Sequence, residues 1–137
     1  MAKASNVLNI SIYKTQVDFE TRSLVESDVC NTIEKAQLEG KKYFIVVANM
    51  MTTMFGSVDD LVYTKVLKDK VLDFKLHLDG AYGGFYYPFV HDGENSLNFS
   101  NPDVSSVTLD AHKMAQAPYG TGIFLIRKNL IHFATTK

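Results

Sequence analysis

Asp79 closes an apolar, alternating stretch and opens a segment with three glycines in five residues, Gly80, Gly83 and Gly84. A carboxylate there has two readings. Taken alone, a strand-end Asp capping a turn is the commoner one. The functional reading is a partly buried carboxylate aimed into a crevice, with glycines that let the backbone approach a ligand. The pair His112-Lys113 also follows an apolar run directly. Two solvated side chains are the plain reading. A lysine in a dry pocket would instead be an amine free to attack a carbonyl, because desolvation favours its neutral form. The Met51-Thr-Thr-Met54 segment is a third candidate, or only a joint whose hydroxyls bond back to the chain. Gly120-Thr-Gly122 is too short for a phosphate loop without a following helix. His77, His91, His112 and His132 lack metal-ligand spacing, and no Ser/His/Asp arrangement stands out.

The elements that must position these residues follow from periodicity. Val7 to Tyr13 alternates loosely and predicts a strand. Val25, Val29, Ile33 and Ala36 recur at helical spacing from about Thr21, with Thr21 or Ser23 as the cap and Gly40 as the terminator. Lys42 to Ala48 is a continuous apolar run, the pattern of a parallel strand covered on both faces. Ser57, followed by Asp59 and Asp60, predicts a helix start, and Leu61, Val62, Val66 and Leu67 its buried stripe. Phe74 to Asp79, Val104 to Leu109 and Thr121 to Arg127 predict three more strands, with a loop from Pro88 to Pro102. The order is β-α-β-α-β-loop-β-β, which predicts the α/β class: a mostly parallel sheet with crossover helices. Ligands of such sheets bind beyond the carboxyl ends of the strands. Thr52, Thr53, Asp79 and the segment from Asp110 to Lys113 all fall there.

Composition narrows the classes. The chain has 137 residues, enough for one core, and a net charge of -1, so no basic field draws in nucleic acid. Its one cysteine, Cys30, excludes a disulfide framework. The apolar runs are too short to cross a bilayer. The first six residues lack the apolar core of a signal peptide, which predicts a reduced, cytoplasmic setting.

Three ordered segments together resemble one family. His77-Leu-Asp-Gly-Ala-Tyr-Gly-Gly84 is similar to the His-x-Asp-Ala-Ala-Tyr-Gly-Gly-like segment of the pyridoxal-phosphate-dependent group II amino-acid decarboxylases. Ser106-Val-Thr-Leu-Asp-Ala-His-Lys113 is similar to their Ser-x-x-x-Asp/Asn-x-His-Lys segment, and Ala48 to Leu61 to their Gly-Thr-Thr-x-x-Gly-x-x-Asp segment. Met51 stands where that family has Gly, and Gly80 where Ala is commoner. The likeness spans Lys41 to Ile131 and is nearest to histidine/serine decarboxylase-like members.

The resemblance implies an aminotransferase-like large domain and pyridoxal 5'-phosphate as cofactor. It implies that Lys113 condenses with the cofactor aldehyde and that Asp79 pairs with the pyridine nitrogen. Ala81 would pack under the ring, His112 would hold the phosphate and orient the lysine, and Thr53, Ser106 and Asp110 would make further contacts. The implied reaction is decarboxylation of a small-molecule L-amino acid; a carbon–carbon lyase on the same scaffold, or a fragment without turnover, are the alternatives. Residues 1–137 are expected to form a single, partial cofactor-binding domain, lacking the family's N-terminal phosphate-loop part and C-terminal small domain. Open apolar strand faces in such a piece favour association, and the family's dimer-interface site implies a homo-oligomer.

Overall fold

The computed structural model describes residues 2–91 and 97–135. Four strands form one sheet in the order β1-β2-β3-β4: β1 (Tyr43–Asn49), β2 (Asp73–Gly80), β3 (Val104–Asp110) and β4 (Gly122–Ile126). The first three run parallel and β4 returns antiparallel along β3. The expected mostly parallel α/β sheet is therefore present.

Helix α2 (Glu26–Leu38) precedes β1, and α3 (Val62–Asp69) crosses from β1 to β2. Val29, Ile33 and Ala36 of α2 are buried, as their spacing predicts, and Gly40 ends the helix at φ +78°, a conformation that favours glycine. Val66 and Leu67 of α3 join the same core as Val29 and Ile33, against Val46, Ala48, Leu76, Leu78, Val104 and Val107. Leu61 and Val62 are only partly buried at its margin. Even-numbered positions of β1 and β2 thus point at the helices. Odd-numbered ones point the other way, because side chains alternate along a strand.

Four sequence expectations are corrected. Val7 to Tyr13 is not a strand: residues Ala2–Leu8 form a short helix, α1, and the following residues to Tyr13 pair with no strand among the described residues. Its alternating residues, Val7 and Leu8 among them, are exposed, so no neighbouring strand takes up their backbone groups. Helix α2 starts at Glu26, with Val25 as N-cap and neither Thr21 nor Ser23 capping it. The Thr21 backbone and hydroxyl instead donate to Asp18 Oδ1 in a tight turn.

Nor does Ser57 begin a helix. Its hydroxyl bonds to Thr52 Oγ1 at 2.7 Å, and α3 begins at Val62, whose N–H donates to Asp60 Oδ1. Finally, β1 is covered on one face only. Tyr43 and Ile45 remain 80% and 69% exposed on the other, so a continuous apolar run did not mean burial on both sides. The predicted loop from Pro88 to Pro102 includes the end of a four-residue helix, α4 (Tyr87–Val90); residues 92–96 of it lie outside the described residues.

Candidate active site at the carboxyl edge of the sheet

The helix-free face of the sheet carries a polar row. In register across the strands lie Asn49, Asp79 and Thr108, flanked by His77 and Ser106 on one side and Asp110 on the other. The row exists because the helix-facing positions are apolar: Leu76 and Leu78 point inward, which sends His77 and Asp79 outward.

Asp79 ends the central parallel strand and is partly buried. Its Oδ1 accepts the Ala81 N–H at 3.2 Å, in the form of an Asx turn. Its Oδ2 accepts no hydrogen bond from the described residues. Opposite it, the Asn49 backbone N–H and Nδ2 both donate to Asp59 Oδ2, at 2.8 and 2.7 Å. The end of β1 is thereby fixed by a carboxylate ten residues on.

The glycines after Asp79 allow a close backbone approach to protein, not the approach to a ligand that the sequence suggested. The Met50 N–H donates to the Asp79 carbonyl, the Gly83 N–H to the Met50 carbonyl, and the Gly84 N–H to the Gly80 carbonyl. A Cβ at Gly83 would lie 2.5 Å from both Met50 O and Met51 Cβ. The turn after β2 therefore folds tightly onto the end of β1. Met51, where the family pattern has Gly, takes φ +64°. A left-handed conformation costs a side-chain-bearing residue about 1–2 kcal/mol, so the backbone there keeps the shape that glycine would adopt freely.

At the end of β3, Lys113 Nζ and Asp110 Oδ2 form an ion pair of 2.8 Å, three residues apart in sequence. The hydrogen bond from Lys113 holds the Asp110 carboxyl below its usual pKa. His112 points its Nδ1 at the Thr121 carbonyl at 3.3 Å and sets its ring edge-on to Tyr119. Since a carbonyl only accepts, Nδ1 carries the proton and Nε2 is left to bind elsewhere.

Asp79, Ala81, Asp110, His112 and Lys113 thus stand at the carboxyl ends of two adjacent parallel strands. Thr53 lies in the neighbouring loop after β1 and is exposed. Ser106 lies four residues before Asp110, within β3, and its hydroxyl bonds to His77 Nδ1 at 2.8 Å. The sequence marks His77 only as the start of the family-like segment, and Asp59 only as a helix-start carboxylate and the closing Asp of the Thr-Thr-x-x-Gly-x-x-Asp segment; Asn49 carries no signal that spacing reveals.

The donor set suits a phosphorylated pyridine aldehyde. A half-buried carboxylate has one oxygen open for a ring N–H and a small residue beside it, and the amine of Lys113, exposed rather than in a dry pocket, stands in the turn after the adjacent strand. A mostly parallel sheet with these groups along its carboxyl edge defines an α/β domain with a candidate ligand site beyond its strand ends. The pyridoxal-dependent decarboxylase conserved domain matches residues 1–134, and the chain belongs to that family. It is 54% identical over 136 residues to a tryptophan decarboxylase of Clostridium sporogenes, covering 98% of this chain and 32% of the relative. A probable L-tyrosine/L-aspartate decarboxylase of Methanocella arvoryzae is 35% identical, over 91% of this chain and 31% of the relative. The chain spans about a third of the length of these curated relatives.

Among solved structures, the fold is similar to the glutamate decarboxylase domain of a Vibrio parahaemolyticus diaminobutyrate-pyruvate transaminase and L-2,4-diaminobutyrate decarboxylase. The TM-score is 0.76 at 23% identity, covering 96% of this chain and 28% of that one. A Burkholderia pseudomallei sphingosine-1-phosphate lyase shares the fold with a TM-score of 0.73 at 19% identity, covering 92% of this chain and 28% of the other. No helix among the described residues is long and apolar enough to cross a membrane.

Proposed function

We propose that this chain is the cofactor-holding core of a pyridoxal-phosphate-dependent decarboxylase acting on an L-amino acid. The observation that carries the reading is the placement of Asp79 and the Asp110–Lys113 pair at the carboxyl ends of neighbouring strands, in a chain of the decarboxylase family. Bound pyridoxal phosphate supplies an aldehyde and a protonated ring that accepts the electron pair left when carbon dioxide departs.

Asp79 is the partner of that ring nitrogen. Its Oδ1 is occupied by the Ala81 N–H, so the carboxylate presents Oδ2, and a negative charge there keeps the nitrogen protonated. Ala81 leaves room for a ring above the strand end. Lys113 is the amine that anchors the cofactor. Its ion pair with Asp110 positions Nζ until the cofactor is engaged, and the partly exposed ammonium gives up a proton to solvent to become nucleophilic. His112 holds the phosphate from its Nε2 side, because Nδ1 is already committed to Thr121. Thr53 and Ser106 make the outer contacts, Ser106 while keeping its bond to His77.

The relatives' names point to the substrate: tryptophan and tyrosine are aromatic, so an aromatic L-amino acid replaces histidine or serine as the first to test. We assign the remaining parts of the subunit, a phosphate loop and a small domain, to the two-thirds of the relatives that this chain does not span. A homo-oligomer, with no nucleic acid and no membrane involved, and a cytoplasmic setting complete the proposal.

The test adds pyridoxal phosphate to the 137-residue protein and follows visible absorption, then carbon dioxide release from L-tryptophan, L-tyrosine and L-aspartate. A bound-cofactor band that disappears in Lys113→Ala supports the reading. A band that survives that substitution removes Lys113 from its role. A lysine-dependent band without carbon dioxide from any of the three would mark this stretch as a binding core without turnover of its own.

A further inference from the structure

The pairing of β2 with β3 is not continuous. Leu76 pairs with Val104, but His77 pairs with Ser106, so Ser105 is an extra residue and a β-bulge lies between Leu76 and His77. The bulge decides which residues share a face. Without it, Asp79 would stand opposite Val107, and Asp110 would point toward the helices, since a one-residue slip reverses every side chain. With it, Asp79 pairs with Thr108, and Asp110 shares its face.

His77 sits at the first pair beyond the bulge and bonds to β3 on that side only. Its Nδ1 bonds to Ser106 Oγ at 2.8 Å and its Nε2 to Thr108 Oγ1 at 3.2 Å, so both ring nitrogens are held by β3. The ring also stacks on Phe124 of β4, with centroids 6.0 Å apart. One side chain therefore joins three strands on the face that carries Asp79. The bulge is closed from its other side by Arg127. Its backbone N–H donates to the Ser105 carbonyl and its Nε to the Val104 carbonyl, while Nη2 takes the carbonyls of Phe99 and Asn101.

We propose that His77 is a positioning residue, a cross-strand tether that holds the post-bulge register and so fixes Asp79 and Asp110 on one face at a set spacing. Burial of the imidazole lowers its pKa, so the neutral ring offers one donor and one acceptor to two hydroxyls that can each reciprocate. The strand pattern already favours the bulged register, which keeps Val107 inside; the imidazole removes the play that pattern alone leaves. The consequence for cofactor binding rests on the reading of Asp79 given above, whereas the tether itself does not.

The test compares the 137-residue protein with His77→Phe, which keeps an aromatic ring for Phe124, and His77→Gln, which keeps a polar group able to reach β3. Amide hydrogen exchange is measured residue by residue without cofactor, and pyridoxal phosphate affinity separately. In His77→Phe, Leu78 to Gly80 and Val107 to Leu109 should exchange roughly tenfold faster, as losing a pair of ordinary hydrogen bonds implies, with Phe74 to Leu76 unchanged. His77→Gln should recover most of that protection, and affinity should follow the same order. Thr108→Val removes one partner and should loosen the same segment by a smaller factor, which carries the test if His77→Phe does not fold. Unchanged exchange beyond the bulge, or a uniform loss over the whole sheet, would overturn the proposal. A parent protein that binds no pyridoxal phosphate would contradict the functional reading, while the exchange pattern would still decide the tether.

Discussion

Replacing Gly83 by alanine should damage the site from beneath without touching any of the groups assigned to chemistry. Gly83 is buried in the turn after β2, and its N–H donates to the Met50 carbonyl at 3.2 Å. The added Cβ would lie 2.5 Å from Met50 O and from Met51 Cβ. Neither is the tip of a flexible side chain, so the clash can be relieved only by moving backbone. Reaching ordinary contact distance requires a shift of about 1 Å, since carbon atoms rest at about 3.5–4.0 Å. Overpacking of that kind costs about 1–3 kcal/mol. Stretching the Gly83–Met50 hydrogen bond adds about 1 kcal/mol. The sum is about 2–4 kcal/mol, or a Tm lowered by roughly 6–16 °C for a domain of this size. Urea and thermal unfolding followed by circular dichroism would measure it. Gly122→Ala is the control, because its Cβ would meet only Asp110 Oδ1 at an ordinary 3.5 Å. If Gly83→Ala and Gly122→Ala unfold together, the close packing of the turn against the end of β1 is wrong.

The two neighbouring methionines should behave differently. Met50 is 2% exposed, and Met50→Ala should cost about 2–5 kcal/mol, whereas Met51→Gly should stay within about 1 kcal/mol of the parent because relief at φ +64° offsets lost packing. Equal losses in urea unfolding would contradict this. Arg127→Met leaves the carbonyls of Val104, Phe99 and Asn101 without their charged donor and should cost about 2–4 kcal/mol; a loss below about 1 kcal/mol would show that water replaces it. His77 also predicts a pH dependence. Its folded pKa is lowered from 6.5 by desolvation, so between that lower value and 6.5 the unfolded chain binds more protons and stability rises with pH. Acidification from pH 7 through this window should therefore destabilise the parent more steeply than His77→Gln, and parallel curves would count against it.

The strands were legible because their signals are local. Each predicted strand from Lys42 onward lies within two residues of an observed one, and Val29, Ile33 and Ala36 mark the buried stripe of α2 as their period requires. The first segment misled because alternation in Val7 to Tyr13 is a preference that only a partner strand can realise. The run from Tyr43 to Ala48 misled in another way: an apolar sequence fits burial on two faces but does not supply the second cover.

At the site, Asp79, Asp110, His112 and Lys113 could be placed at strand ends because each follows an apolar run. The bond between Ser106 and His77 joins residues 29 apart, and it depends on a one-residue bulge that no spacing rule announces. Met51 was legible in its own way. The residue that departs from the family's glycine adopts the backbone angle that glycine would have supplied.

The most direct test of the account is chemical capture of the cofactor. The protein is mixed with pyridoxal phosphate and reduced with borohydride, which fixes the cofactor to whichever amine holds it, and the modified peptide is mapped by mass spectrometry. The account predicts stoichiometric labelling at Lys113, strongly reduced in Asp79→Ala. Labelling spread over exposed lysines such as Lys41 and Lys42, with Lys113 no more reactive than they are, would contradict it.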